Sequence, residues 1–195
     1  MPEVTALRAR GRARVEIELD GAAWRTVPAE AVLRAGVDVG RELDRARARA
    51  LRRELVRLRA LTVATSALRR HDLSEDALSA RLRRAGMPPR TRRETIEALE
   101  RAGVVDDARA ARARAVALAG RGYGNAAIDA DLERRSFPAA VRADAISALP
   151  PESERLEDIL PILGRGPRAG RHLARRGFGE EAIIRAVGDD FANET

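Results

Sequence analysis

Apolar and polar residues alternate along Ala13-Arg14-Val15-Glu16-Ile17-Glu18-Leu19, the period of a half-buried strand. Asp20-Gly21 follows, a pair suited to a tight hairpin turn because both positions tolerate positive φ. Trp24 and Val27 then fall on the return strand. Pro28-Ala29-Glu30 predicts a short helix to about Arg34, closed at Gly36. Residues 37–43 lead into a second helix, so residues 1–40 read as a small β-hairpin module.

From about Arg41 the period becomes helical. Leu51, Leu55, Leu58, Leu61, Thr65 and Leu68 recur at steps of three and four, which makes one apolar stripe on a long helix. Further helical stretches are expected at 106–119 and 152–163. An internal repeat then emerges from three segments that align without gaps, 77–87, 127–137 and 168–178. Each carries a Leu (Leu82, Leu132, Leu173), an Arg two positions on, then a small residue and a large apolar one: Gly86-Met87, Ser136-Phe137, Gly177-Phe178. Nine positions after each large residue stand Ile96, Ile146 and Val187. The pattern predicts a helix closed at the small residue in the left-handed conformation, a turn packed by the large one, and a second helix carrying Ile or Val inward.

The fold class expected is therefore mainly α: three tandem three-helix repeats preceded by a small N-terminal β-hairpin module. The divisions are 1–40, 41–103, 104–150 and 151–195. Pro150-Pro151 separates the second and third units, since Pro disfavours helix at the residue before it. Gly120, Gly122 and Gly124 break the second unit, and Gly164, Gly166 and Pro167 the third. Ser74 with Glu75 and Asp76, and Asp106 with Asp107, fit helix N-caps and acidic first turns.

Composition narrows the function. The chain has 195 residues and no Cys, so it has no disulfide, thiolate metal site or cysteine nucleophile. His71 and His172 lie far apart, which speaks against a His-built metal site. No apolar run approaches a membrane span, and the first 15 residues lack the apolar core of a secretory signal. A cytoplasmic protein is expected. All 37 basic residues are Arg, which GC-rich coding explains as readily as function does. The net charge of +7 is more informative and favours a polyanionic partner. Residues 1–40 carry 6 Arg and 6 acids, and residues 41–100 carry 16 and 9. Residues 101–150 carry 8 and 6, and residues 151–195 carry 7 and 9. The surplus thus sits in the first helical unit, and the last is acidic.

Catalytic signals are lacking. There is no Lys for a phosphate loop, and Arg121-Gly122-Tyr123-Gly124-Asn125 follows a helix, so it reads as a helix–helix turn. Asp189-Asp190 reads as a helix end and His71 as a surface or turn residue. Aromatics are too few for a base-stacking single-strand binder. Nucleic-acid contact should therefore be with the backbone, from Arg side chains suited to bidentate phosphate contacts.

The chain resembles the RecX regulatory proteins, bacterial modulators of the RecA recombinase. The likeness covers about residues 13–190. It runs through Arg70-His71-Asp72-Leu73-Ser74-Glu75-Asp76-Ala77-Leu78 with Leu82-Arg83-Arg84-Ala85-Gly86-Met87, then Ala102-Gly103-Val104-Val105-Asp106-Asp107. It continues in Arg121-Gly122-Tyr123-Gly124 followed by Ile128, Leu132 and Arg135. Three departures stand out: Ala110-Ala111 where the family has a Phe-Ala pair, Ala77 for a usual Glu, and Ser136 for a usual Gly.

The resemblance implies a non-enzymatic inhibitor that binds the RecA–DNA filament and restrains strand exchange, ATPase and coprotease activity in DNA recombination and repair. The partners expected are the RecA filament and single- or double-stranded DNA through its phosphates, with no membrane, no cofactor and no metal, for a monomer. Candidate contact residues in the first unit are Arg69, Arg70, Arg83, Arg84, Arg90, Arg92 and Arg93. Those in the second are Arg121, Tyr123, Arg134 and Arg135. Two other readings stay open: a stand-alone helical DNA-binding protein and a helical protein–protein scaffold.

Overall fold

The computed structural model describes residues 1–69 and 73–188. It opens on three strands, β1 (Val4–Ala9), β2 (Arg14–Leu19) and β3 (Ala22–Pro28), in an antiparallel sheet of order β1-β2-β3. The Asp20-Gly21 turn has positive φ at both residues, 49° and 82°. Helix α1 (Ala29–Ala35) follows and closes on Gly36 in the left-handed conformation.

The module has one strand more than the hydrophobic pattern predicts. A register shift between Val4 and Ala6 breaks the two-residue period of β1. Val4 is buried in the core and Leu7, an odd number of positions away, packs half-buried against it, so the alternation that marks β2 is absent.

Nine more helices follow among the described residues: α2 (Arg45–Leu68), α3 (Glu75–Arg84), α4 (Pro89–Arg101), α5 (Asp107–Ala119) and α6 (Asn125–Arg134), then α7 (Ala139–Ser147), α8 (Glu152–Leu163), α9 (Pro167–Arg175) and α10 (Glu180–Val187). The chain forms two compact units, Met1–Arg70 with Arg81–Ala98, and His71–Ala80 with Leu99–Thr195.

In the first unit Ile17, Val27, Val32 and Leu51 build a core under the sheet, with Leu55 and Leu58 packed against it. Asp44 caps α2 by accepting from the Arg47 amide at 2.7 Å. Of the predicted α2 stripe, Leu51 is buried and Leu55, Leu58, Leu61 and Leu68 are half-buried, and Thr65 alone is exposed. Thr65 is exposed and its hydroxyl donates to the Leu61 carbonyl at 2.8 Å, while Ala60, Ala64 and Ala67 are the buried positions. Methyl-sized side chains mark a face built for close approach, which a Leu-based count passes over.

In the second unit α5, α6 and α7 enclose Ala111, Ala115, Ile128, Leu132 and Phe137. Helices α8, α9 and α10 enclose Leu156, Leu160, Leu173, Phe178 and Ile183. Ala111 is fully buried.

The repeated turn takes one geometry three times. Gly86, Ser136 and Gly177 have φ of 76°, 63° and 81°. After each, the amide of the large apolar residue donates back to the carbonyl of the repeat Leu: Met87 to Leu82 at 3.0 Å, Phe137 to Leu132 at 3.2 Å, Phe178 to Leu173 at 3.2 Å. These bonds satisfy carbonyls that the helix end leaves free. All three Leu and all three large residues are buried.

Candidate nucleic-acid interface

Helix α2 carries Arg45, Arg49, Arg52 and Arg59 at offsets of 0, 4, 7 and 14, so they share one face with Val56 at offset 11. Arg53 lies beside that face. In the first unit this face forms one wall of an open groove of about 540 Å³, and the start of α4 forms the other. Arg49, Arg52, Arg53 and Val56 line it from α2, and Pro88, Arg90 and Thr91 from α4.

Two of the groove's cations are already balanced. Arg57 donates to Glu54 at 2.7 Å and to Glu30 at 2.6 Å, and the Glu54 bond chiefly holds its pKa above the ordinary value. Arg90 donates to Glu94 at 2.6 Å, with the same effect. Arg49, Arg52 and Arg53 are exposed and form no ion pair among the described residues; the Arg49 Nε donates only to the Arg45 carbonyl, at 3.0 Å. Three unpaired guanidinium groups beside an open groove are what a phosphate chain requires. Each offers a planar fork of donors, and no internal carboxylate has to be displaced.

The residues singled out from sequence are distributed differently. Arg90 lines the groove. Arg92 and Arg93 share α4 with it but do not line the groove, and Arg93 faces Glu97 at 3.7 Å. Arg83 and Arg84 are exposed at the end of α3, and Arg69 is exposed at the C-cap of α2. Arg70, His71 and Asp189-Asp190 lie outside the described residues.

In the second unit Arg135 donates to Asp131 at 3.0 Å, beside Arg114 at 2.8 Å and Arg134 at 3.5 Å. These bonds, the Arg114 one foremost, lower the Asp131 carboxyl to about 2. Arg135 is thus committed to the fold. Its carbonyl also accepts from the fully buried Ser74 hydroxyl at 2.8 Å, while that hydroxyl caps α3 by accepting from the Ala77 amide. Asp107 extends this cap by accepting from the Glu75 amide at 2.9 Å. Burial is the main cause that raises the Glu75 and Asp107 carboxyls, and neighbouring Glu100 adds to it in both.

Arg121 and Tyr123 belong to a turn-to-turn junction. Gly124 donates to the Arg176 carbonyl at 2.9 Å and Ala126 to that of Gly177 at 3.1 Å. The two glycines approach so closely that a Cβ on Gly124 would lie 2.2 Å from the Gly177 backbone. The Arg176 guanidinium sits 4.8 Å above the Tyr123 ring and donates to the Arg121 carbonyl.

Below the junction Arg155, only 8% exposed, donates to the Tyr123 and Pro150 carbonyls and to Asn125 Oδ1. Its pKa is lowered by burial, partly offset by Glu152. The Glu152 carboxylate accepts from the amides of Asn125 and Gly179, which caps α6 and α10 at once.

Sequence reasoning passed over Arg49, Arg52 and Arg53, although their helical spacing was there to read. The Glu152–Arg155 cluster had no such signal, since its partners lie about thirty positions away. Among the described residues no group of His, Asp and Glu could hold a metal ion, and no helix is long and apolar enough to cross a membrane.

Among solved structures, the chain is similar to a regulatory protein RecX with a TM-score of 0.77, at 16% identity, over 96% of this chain and 98% of that one. It is also similar to RecX from Lactobacillus salivarius with a TM-score of 0.61, at 14% identity, over 68% of this chain and 94% of the other. The fold, an N-terminal antiparallel sheet followed by tandem helices, is thus that of RecX regulatory proteins. No family model matches the sequence, and no curated protein matches it.

Proposed function

We propose that the chain is a RecX-like negative regulator that binds the RecA–DNA filament and lowers its recombinase, ATPase and coprotease activity, acting by binding rather than by catalysis. The observation that carries this reading is a likeness to a RecX structure over nearly the whole length of both chains. In this reading segments 41–103, 104–150 and 151–195 serve as three repeat units behind the 1–40 module. DNA phosphates meet the unpaired Arg49, Arg52 and Arg53 first, with Arg83, Arg84 and Arg90 as further contacts.

The test is ATP hydrolysis by RecA filaments on single-stranded DNA with this protein added at severalfold molar excess. A lowered rate is expected, and an unchanged rate overturns the proposal. The basic groove also favours a second reading, a stand-alone DNA-binding protein. That reading predicts salt-sensitive DNA binding without RecA and no effect on RecA's ATPase.

A further inference from the structure

Helix α8 exposes Ile162 to 87%, more than any other large apolar side chain described. One turn back, Ile159 lines two grooves of the second unit, of about 350 and 340 Å³. The grooves also share Gly120, Gly122 and Asp158, so they join into one trough beside α8. Its first half is floored by Ile159, Ile162 and Leu163. Its second half adds Leu149, Pro150 and Val116, itself 61% exposed. Gly122 keeps the floor open, since a Cβ there would meet Ile159 Cδ1 at 3.4 Å. Exposed apolar surface of this kind, rimmed by polar groups, marks a docking site.

Charge gathers at one end of the trough. Arg121, His172 and Arg176 line the first half, and Asp158 is the single acid that lines either half. The second half has one base, Arg155, which is already committed to the Tyr123 and Pro150 carbonyls and to Asn125 Oδ1. Arg121 and Arg176 are not balanced in this way. The exposed Arg121 guanidinium lies 5.8 Å from the centre of the Tyr123 ring and has no ion pair among the described residues. Arg176 commits Nη1 to the Arg121 carbonyl and likewise has no acidic partner among the described residues.

These two halves define a ligand. Planar guanidinium forks without an internal carboxylate call for an anion. The isoleucine floor calls for large apolar side chains, whose burial there removes Ile162 and Val116 from water. A phosphate chain satisfies the rim and leaves the floor wet. A purely apolar ligand covers the floor and leaves the rim unmatched. A polypeptide segment with acids beside large apolar residues satisfies both, the apolar contact supplying affinity and the charges setting its register.

We propose that the α8 trough is a docking surface for an acidic amphipathic segment of a partner protein, with its apolar side chains on Ile159, Ile162 and Val116 and its carboxylates on Arg121 and Arg176. This inference goes beyond the regulatory reading above and does not depend on it.

The test is fluorescence anisotropy with the full-length chain and a fluorescein-labelled peptide, Glu-Glu-Leu-Phe-Glu-Glu-Leu. Its controls are the same peptide with Gln for every Glu, the same peptide with Ala for Leu and Phe, and unlabelled oligothymidylate as a competitor. The parent peptide should bind more tightly than either control, and oligothymidylate should not displace it. Ile162→Asp should weaken binding about tenfold or more, the loss expected when one buried isoleucine contact is removed. Arg121→Glu should weaken the parent peptide and leave the Gln peptide unchanged. Both positions are exposed, so the two variants alter the surface and not the core. Parent binding no tighter than that of the Ala peptide overturns the proposal, as does binding that neither variant weakens. Displacement by oligothymidylate would make the trough a phosphate site and overturns it too. So does a wild-type chain that sediments as a dimer and becomes monomeric with Ile162→Asp, which would make a second copy the occupant.

Discussion

An arginine in this chain is informative only once its partner is known. Arg135 and Arg114 are bound into the fold by Asp131, whereas Arg49, Arg52 and Arg53 have no carboxylate to hold them. The Asp131 carboxyl is held at about 2, with Arg114 as the leading cause. A carboxyl lowered on folding stabilises the native state fully above its unfolded value of about 4 and loses that contribution as pH falls towards 2. The side chain is only 16% exposed, so the contribution is about 2 kcal/mol. Asp131→Asn should lower stability by about that amount at pH 7 and flatten the loss between about pH 4 and 2, read as denaturant midpoints over that range. Glu75 and Asp107 act with the opposite sign. Their raised carboxyls penalise the fold above their folded values, and the penalty is relieved as pH falls through them.

At the scale of the element, the repeated turn is the unit that recurs. Its demand is one residue at positive φ, and two of the three copies meet it with Gly. Ser136 meets it with a side chain at φ 63°. A non-glycine residue there costs roughly 1–2 kcal/mol, of which the extra freedom of Gly in the unfolded chain returns part. Ser136→Gly should therefore raise stability by about 0.5–1 kcal/mol in equilibrium urea unfolding, and unchanged or lowered stability would show that the turn carries no strain. Gly177→Ala supplies the contrast. There the new Cβ would also lie 2.5 Å from the Ala127 amide nitrogen, so the loss should exceed about 2 kcal/mol.

For the whole molecule, the net charge of +7 describes less than its distribution does. Many arginines, among them Arg57, Arg90, Arg114, Arg135 and Arg142, face an acid on a neighbouring turn or helix, and surface pairs of this kind add little to stability. They do remove those arginines from the set available to a polyanion. In the first unit the groove-lining arginines without an ion pair are Arg49, Arg52 and Arg53, all on α2. Replacing Arg49, Arg52 and Arg53 together by Ala should weaken DNA binding and reduce the steepness of its salt dependence by about 2–2.7 log units per log salt. The same measurement on Arg134→Ala with Arg135→Ala should leave that slope nearly unchanged, because those groups are held by Asp131. Equal slopes for the two variants would place the phosphate contacts elsewhere.

The sequence alone determined what is encoded within a few residues. The Asp20-Gly21 turn, the Gly36 stop, the Ser74 and Asp106 caps and the repeat turns at 86, 136 and 177 each depend on one residue's backbone freedom or one side chain reaching its own helix end. The class of fold followed from their order. Other features depended on distant partners. Strand β1 was hidden because a bulge disrupts its period. The buried face of α2 shifts from Leu to Ala partway along, where close packing rather than bulk decides burial. Only tertiary structure brought Gly124 against Gly177 and placed the Glu152 carboxylate on two helix ends at once. It also decided which arginines remain available to a ligand. That choice rests on charges 17 and 27 positions apart in sequence meeting within 3 Å, as Arg114 meets Asp131 and Arg57 meets Glu30, and no local pattern records such a meeting.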